Sequence, residues 1–255
     1  MSNEWFSEKL APDGNVEDGC HPNEAQAMKK YLRHEFTAQE AARAITQPIE
    51  NAENPGHDLP RLWDFLMDAL IELPSETTES LIELLQAIEN LPEPDMTAIE
   101  EKKRPSHGKL WRGLPGFAHL YADIHQLGDS GWRALAVKAD GPEQDRIRNY
   151  QVRKADIEAR LAVLSIAGIT IDWGYETVAD ALEKSDALLD FEVPAAAAWF
   201  ARAGERFKEG AANGEESWAL DRQRDLWKGG KSMTPKRYEF WVQRMSDWTN
   251  MQHAL

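Results

Sequence analysis

The densest run of chemistry-bearing residues is DLWKGGKSMTPKRYEFW at 225–241, where Gly229-Gly230-Lys231-Ser232 has the ending of a phosphate-cradling loop. Such a loop needs G-x-x-x-x-G-K-[ST] between a strand and a helix, so that backbone N–H groups surround the phosphates. Here Asp225 takes the place of the first glycine, and 217–227 reads as helix rather than strand. The stretch instead predicts a helix–loop–helix joint. Gly229 and Gly230 would supply the positive φ that ends a helix, and Thr234-Pro235 would cap and open the next. From there Tyr238, Trp241, Met245 and Trp248 recur on one apolar face.

Other titratable groups are sparser. His119 and Asp123, at i and i+4, have the spacing of two metal ligands or of a base and its orienter. The stripe Phe117, Leu120, Tyr121, Ile124 and Leu127 points the other way, which puts the pair on the solvent face. His125, on the rim of that stripe, is the better candidate for a general base. Asp172 is flanked by Ile169, Ile171 and Trp173; desolvation there would raise its pKa and suit it to acid–base work. It equally suits a cap for a helix opening near Tyr175. Arg244 is the candidate for steering charge. No HExxH or Cys/His set appears and Cys20 is the single cysteine, so neither a catalytic metal nor a cofactor is expected. No G-x-S-x-G is present either.

Ten tryptophans are the most informative feature. Trp111, Trp132, Trp173, Trp199, Trp227, Tyr238 and Trp241 are the candidate substrate-binding wall. Indoles in this number either build a core, each wanting a partner for its N–H, or line an apolar cavity for a hydrophobic small molecule. Ala195 to Ala198 beside Trp199 would permit close helix approach or leave space on a cavity floor.

The elements that must position these residues are helices. Residues 1–20 are polar, with Pro12, Gly14 and Gly19, and read as a flexible arm before a single α-helical domain over 21–255. Pro22 opens a helix, Thr37-Ala38-Gln39-Glu40 is a capping box, and leucine-rich stripes run over 58–73 and 75–91. The charged, proline-bearing segment 92–109 reads as a surface loop. Helices follow over 115–127, 132–139, 143–168 (burying Ile147, Tyr150, Ile157, Leu161 and Leu164), 176–185, 194–209, 217–227 and 235–252. Residues 169–173 resemble a short strand, but one strand makes no sheet. The expected fold is all-α, one irregular bundle of about nine helices.

The chain has 255 residues, 29 Lys and Arg against 44 Asp and Glu, and a net charge of −15. That balance argues against nucleic acid and against an anionic membrane surface, although Lys236, Arg237 and Arg244 could form a local basic patch. The longest apolar run, 161–171, is too short to span a bilayer. With no secretory leader pattern and one cysteine, the expected location is a reducing, cytoplasmic compartment.

The C-terminal LWKGGKSMTPKRYEFWVQRM, with Trp227, Arg237, Trp241 and Arg244, resembles the end of the fungal DUF3632 family, whose function is unknown. The likeness extends to Leu62-Trp63, to Trp111 with Leu114-Pro115-Gly116-Phe117, and to Ala195–Gly204 with Trp199, from about Ala41 to Trp248. Tyr238 departs from it, standing where Trp is expected, and residues 142–154 are unusually charged. The resemblance implies a filamentous-fungal source, a helical fold and, through its association with biosynthetic genes, small-molecule work. It supplies no catalytic residues.

Two functions are therefore expected from different classes. One is a cofactor-independent enzyme or binder, of cyclase or isomerase type, acting on a hydrophobic metabolite of secondary metabolism mainly by shape and orientation. The other is a non-catalytic protein–protein interaction or regulatory module with apolar grooves for partner helices.

Overall fold

The computed structural model describes residues 3–10, 19–105, 108–127 and 131–253; Pro12, Gly14 and His107 lie outside them. Among the described residues there are twelve α-helices and no strand. The all-α expectation holds, with more helices than the nine expected. By contact the chain groups into two compact units, 1–127 with 166–168, and 128–165 with 169–255.

The first unit contains α1 (Asn3–Lys9), α2 (Pro22–Leu32), α3 (Ala38–Glu50), α4 (Pro55–Glu72), α5 (Thr78–Glu89) and α6 (Phe117–Tyr121). Its boundaries follow local chemistry. Thr37 Oγ1 accepts from Glu40 N at 3.2 Å while Glu40 Oε2 accepts from Thr37 N at 2.8 Å, the reciprocal cap the sequence predicts. Helix α4 buries Leu62, Trp63, Phe65, Leu66, Met67, Ala69 and Leu70, so it runs through the core rather than across its surface.

Two expectations change in this unit and one is sharpened. Residues 3–10 are not a loose arm, because Phe6 is buried, the Trp5 ring stacks on Phe65 at 5.9 Å, and Lys9 pairs with Asp68 and Glu72. Seven residues of helix are too few to show a period. The described residues of 92–109 form the surface loop expected, and side chains strap it down. The Glu93 carboxylate accepts backbone N–H groups from Leu110, Trp111 and Arg112 at 2.7, 3.2 and 2.7 Å, and Arg104 donates to the carbonyls of Ile99 and Thr97. Finally, α6 passes into a π-helical turn over Ala122–Leu127. That wider turn shifts the phase of the stripe, so His125 is buried against Tyr121 while Ile124 is 41% exposed.

The second unit contains α7 (Trp132–Lys138), α8 (Gly141–Leu164), α9 (Ile171–Glu183), α10 (Leu189–Asn213), α11 (Trp218–Asp221) and α12 (Pro235–His253). Asp140 caps α8. Ile147, Ile157 and Leu161 are buried as expected, but Leu164 is exposed, because the helix stops there with Ser165 at φ 56°. The 169–173 segment is no strand: Thr170 is an extended N-cap and Ile171 already begins α9. Helix α10 starts before Pro194. A proline inside a helix deprives the carbonyl four residues earlier of its donor, and the carbonyl thus released, Asp190 O, accepts from Arg148 Nε at 2.9 Å.

Helix α10 packs along α8 and α9. The core between α9, α10 and α12 is aromatic: Phe207 lies 5.4 Å from Tyr175, 6.2 Å from Trp199, 5.3 Å from Phe200 and 6.1 Å from Trp241. Helix α9 approaches α10 closely at Gly174, where a Cβ would lie 2.6 Å from the Trp199 ring.

Gly174→Ala should therefore cost about 1–3 kcal/mol by overpacking. Gly204→Ala, in the middle of α10 with its nearest atom 3.9 Å from the added methyl, should be neutral or stabilising by up to about 1 kcal/mol. Urea unfolding of the two variants checks the contrast, and equal effects would contradict the close-packing account. In the first unit, burial above all, then the Glu24 charge, pushes the Cys20 thiol up to about 12. A thiol-specific reagent at about pH 8 should leave folded Cys20 unmodified and titrate it fully in denaturant, since the thiolate is the reactive form.

Candidate functional site

The second unit's site grows from one face of α9. Asp172, Glu176, Asp180 and Glu183 follow one another at i, i+4, i+8 and i+11, which places four carboxylates along one side of the helix. Each anchors a different point of the return segment 214–237. Asp172 accepts from Ser217 Oγ in a short hydrogen bond, and Ser217 Oγ also accepts from Ala219 N, capping α11. Glu176 pairs with Arg222. Asp180 Oδ1 takes Arg224 Nε and Nη2, both at 2.7 Å, while Arg224 Nη1 donates to Ala219 O at 2.9 Å. Glu183 takes Arg237 through both oxygens at 2.7 and 2.8 Å, and Trp241 Nε1 at 2.7 Å.

The last of these is the most enclosed. Glu183 and Arg237 are both essentially inaccessible to solvent. The Arg237 guanidinium lies 5.5 Å from the Trp227 ring centroid and 5.9 Å from that of Trp241. Burial lifts Glu176, and Arg222 does not fully reverse it. For Asp180 the same burial is outweighed by Lys184 and Arg224, which hold it below its ordinary value.

The loop beyond Asp225 is fixed by the same groups. Asp225 accepts from Ser185 N at 2.9 Å, Leu226 N donates to Glu183 O at 2.9 Å, and Met233 N donates to Glu215 O at 2.8 Å. Trp227 Nε1 donates to Gly230 O at 2.9 Å, folding the indole back over the glycines, and the ring also lies 5.4 Å from Phe240. Thr234 caps α12 through Arg237 N, as expected. Two details differ from expectation. Neither Gly229 nor Gly230 has a positive φ; glycine is required at 229 because a Cβ there would lie 2.1 Å from the Trp227 ring. The helix expected over 217–227 is only Trp218–Asp221, because Arg222 and Arg224 are drawn to Glu176 and Asp180 on α9.

A cleft of about 310 Å³ opens over this loop, with Arg224 and Arg237 on its floor and Trp227 to Lys231 along its wall. A neighbouring cleft of about 550 Å³ shares Asp221 and Lys231 with it and adds Ser217 and Trp218. In the first unit a cleft of about 480 Å³ is lined by Lys9, His57, Arg61, Asp64 and Asp68. Its two strong cations are matched: Lys9 with Asp68 at 2.8 Å and Arg61 with Glu24 at 2.6 Å. Partial burial raises Asp68 and, with help from Asp68, Asp64.

The sequence-derived catalytic candidates are not gathered in one place. His125 belongs to the first unit, its ring 4.7 Å from Tyr121. Asp172 and Arg244 serve opposite ends of α9. Asp172 is at the first turn, also accepting from Thr170 Oγ1, and Arg244 donates to Leu182 O near the last turn at 3.3 Å. Ten residues of helix separate those ends by roughly 15 Å. His119 and Asp123, 3.5 Å apart, sit in solvent as expected.

The aromatic candidates divide in the same way. Trp111 is in the first unit's core against Trp63, its indole donating to Glu50. Trp132 packs on Phe191, and Trp173 is half-buried in the first turn of α9. Trp199 and Trp241 are fully buried, and Tyr238 lies against Phe200. Of the seven, Trp227 alone lines one of the three clefts just described. Sequence reasoning missed Arg222, Arg224 and Lys228. The signal was the acidic stripe on α9, which demands an equal number of cations from elsewhere.

Removing either partner of the buried pair alone should be costly, and removing both much less so. Glu183→Gln keeps an acceptor for Trp241 but strands the Arg237 charge, and Arg237→Met strands Glu183; each should cost about 3–5 kcal/mol. The double variant buries no charge and should recover at least about 2 kcal/mol of the summed loss. Chemical denaturation of the four proteins measures this, and strict additivity would contradict it.

Among the described residues no helix is long and apolar enough to cross a membrane. No curated protein and no solved structure matches the chain. The family described as protein of unknown function DUF3632 matches residues 63–245, from the Trp63 core of the first unit to the α12 turn that carries Arg237, Trp241 and Arg244. The chain belongs to the DUF3632 family.

Proposed function

We propose that this protein is a small-molecule binder whose site is the cleft over residues 227–231 in the second unit. The observation that carries the reading is preorganisation of its walls. The Trp227 plane is held by its own N–H on Gly230 O and by Phe240, above two buried guanidiniums that carboxylates already fix. A ligand entering such a site orders few side chains, which is the main saving available to a small binding site. Its volume of about 310 Å³ is at the low end of ligand pockets. A flat molecule stacked on Trp227 suits it better than a bulky hydrophobic one, because the walls are as cationic as they are aromatic. Acid–base catalysis of cyclase or isomerase type receives less support, since Asp172 and Arg244 are used to tie the ends of α9.

A second reading, an interaction module, is favoured by α7, where Leu135 and Val137 are 61% and 68% exposed.

Thermal-shift screening of the full chain against small planar metabolites tests the first reading. A binder should raise the melting temperature, by an amount set by its concentration relative to its Kd. The rise should vanish in Trp227→Ala and in Gly230→Leu, which fills the cleft where an added Cβ meets nothing within 4 Å. It should persist in Trp218→Ala, in the neighbouring cleft. Stabilisation unaffected by Gly230→Leu would refute the assignment.

A further inference from the structure

We propose that the cleft over residues 227–231 holds the phosphoryl group of a small phosphate monoester; this rests on the binding-site reading above and names the ligand class. Three independent observations lead there. First, among the described residues no protein acceptor takes the backbone N–H of Lys228, Gly229, Gly230, Lys231 or Ser232. The loop thus offers several donors in succession, the arrangement by which backbone turns hold anions. The side-chain-free Gly230, where an added Cβ would meet nothing within 4 Å, leaves that backbone open to close approach.

Second, the wall is cationic in a chain of net charge −15. Arg222, Arg224, Lys228, Lys231 and Arg237 line it, against the single carboxylate of Asp221. The nearest competitor for a ligand is weak: Lys231 and Asp221 are 3.8 Å apart with both side chains largely in solvent, where such a pair contributes little.

Third, the two kinds of cation are in different states. The Arg237 fork is filled by both oxygens of Glu183, which leaves it no bidentate grip for a ligand carboxylate. Arg222 and Arg224 each hold one carboxylate oxygen, of Glu176 and Asp180, and Arg224 Nη2, though at ion-pair distance, makes no hydrogen bond among the described residues. What remains for a ligand is Lys228 and Lys231, the outer N–H groups of Arg222 and the loop N–H groups. Point-charge ammoniums and several successive N–H donors match the three oxygens and nearly double charge of a phosphate monoester better than a carboxylate. Trp227 supplies a face for the group the phosphate carries. The arrangement is not a Walker loop, since no strand precedes it and Asp225 replaces the first glycine.

Nitrogen-15 spectra of the full-length protein test this, with the Trp227 indole signal assigned by its loss in Trp227→Phe. The probes are phenyl phosphate, benzoate and benzyl alcohol, at matched ionic strength. Phenyl phosphate should give a saturable shift of the Trp227 indole and of the Gly229 and Gly230 amides, and bind about tenfold or more tightly than benzoate. Lys228→Ala with Lys231→Ala should weaken it by at least about tenfold, while the remaining indole signals report an unchanged core. Two results would overturn the inference: no saturable shift, or a shift that the double lysine variant leaves intact. If benzyl alcohol or benzoate binds as tightly as phenyl phosphate, the phosphoryl assignment fails while the cleft survives as a binding site. If Gly230→Leu fails to block a compound found by thermal shift, the cleft itself is wrong.

Discussion

The second unit depends on the acidic stripe of α9. Four carboxylates on one helix face, at Asp172, Glu176, Asp180 and Glu183, would repel one another and be costly to cover if nothing met them. The chain meets them with its own return segment, so that Ser217, Arg222, Arg224 and Arg237 descend the helix in the order in which they occur. Matching order on both sides is what lets residues 214–234, which hold only four residues of α-helix, adopt a defined path. The loop is placed by charge pairing rather than by an apolar stripe.

The Glu183–Arg237 pair closes that arrangement and explains the aromatic residues around it. Two buried charges gain little net stability over an apolar pair of the same volume. Their geometry is demanding, however. Both guanidinium N–H directions, the Trp241 indole and the Leu226 amide converge on one residue, and α12 fits α9 in a single register. Tryptophan suits this role because it couples a large apolar area to one directed donor. The same use recurs elsewhere: Trp5 on Glu72, Trp63 on Pro115 O and Trp111 on Glu50. Trp199 is the contrast. Its indole nitrogen is buried with no acceptor among the described residues, and the ring serves to fill the space that Gly174 leaves against α10.

Periodicity revealed the helices because α4, α5 and α8 bury stripes long enough to repeat, and capping chemistry at Thr37 and Thr234 marked their starts. It was blind to α1, whose seven residues hold one buried side chain. It also put Ile124 rather than His125 inside, because a π-helical turn breaks the 3.6-residue phase without any sequence mark. The site was legible in part. Trp227, Arg237 and the glycines stood out by type, but the partners of Arg222 and Arg224 lie 46 and 44 residues away. No local pattern carries that distance, whereas a count of carboxylates along α9 would have shown that cations were owed.

Gly229 and Gly230 bring these strands of argument together. Glycine is usually read as a licence for positive φ, yet neither residue uses it. At 229 the missing Cβ makes room for Trp227, whose indole bends back to Gly230 O. The backbone here is tied by ion pairs to α9 and folded against an indole, and it forms no helix. Five consecutive amides, from Lys228 to Ser232, are left without a protein acceptor among the described residues. The constraint that organises the fold also produces the donor-rich surface at which binding is proposed. In this unit the loop's path and the proposed site have one origin in the pairing of α9.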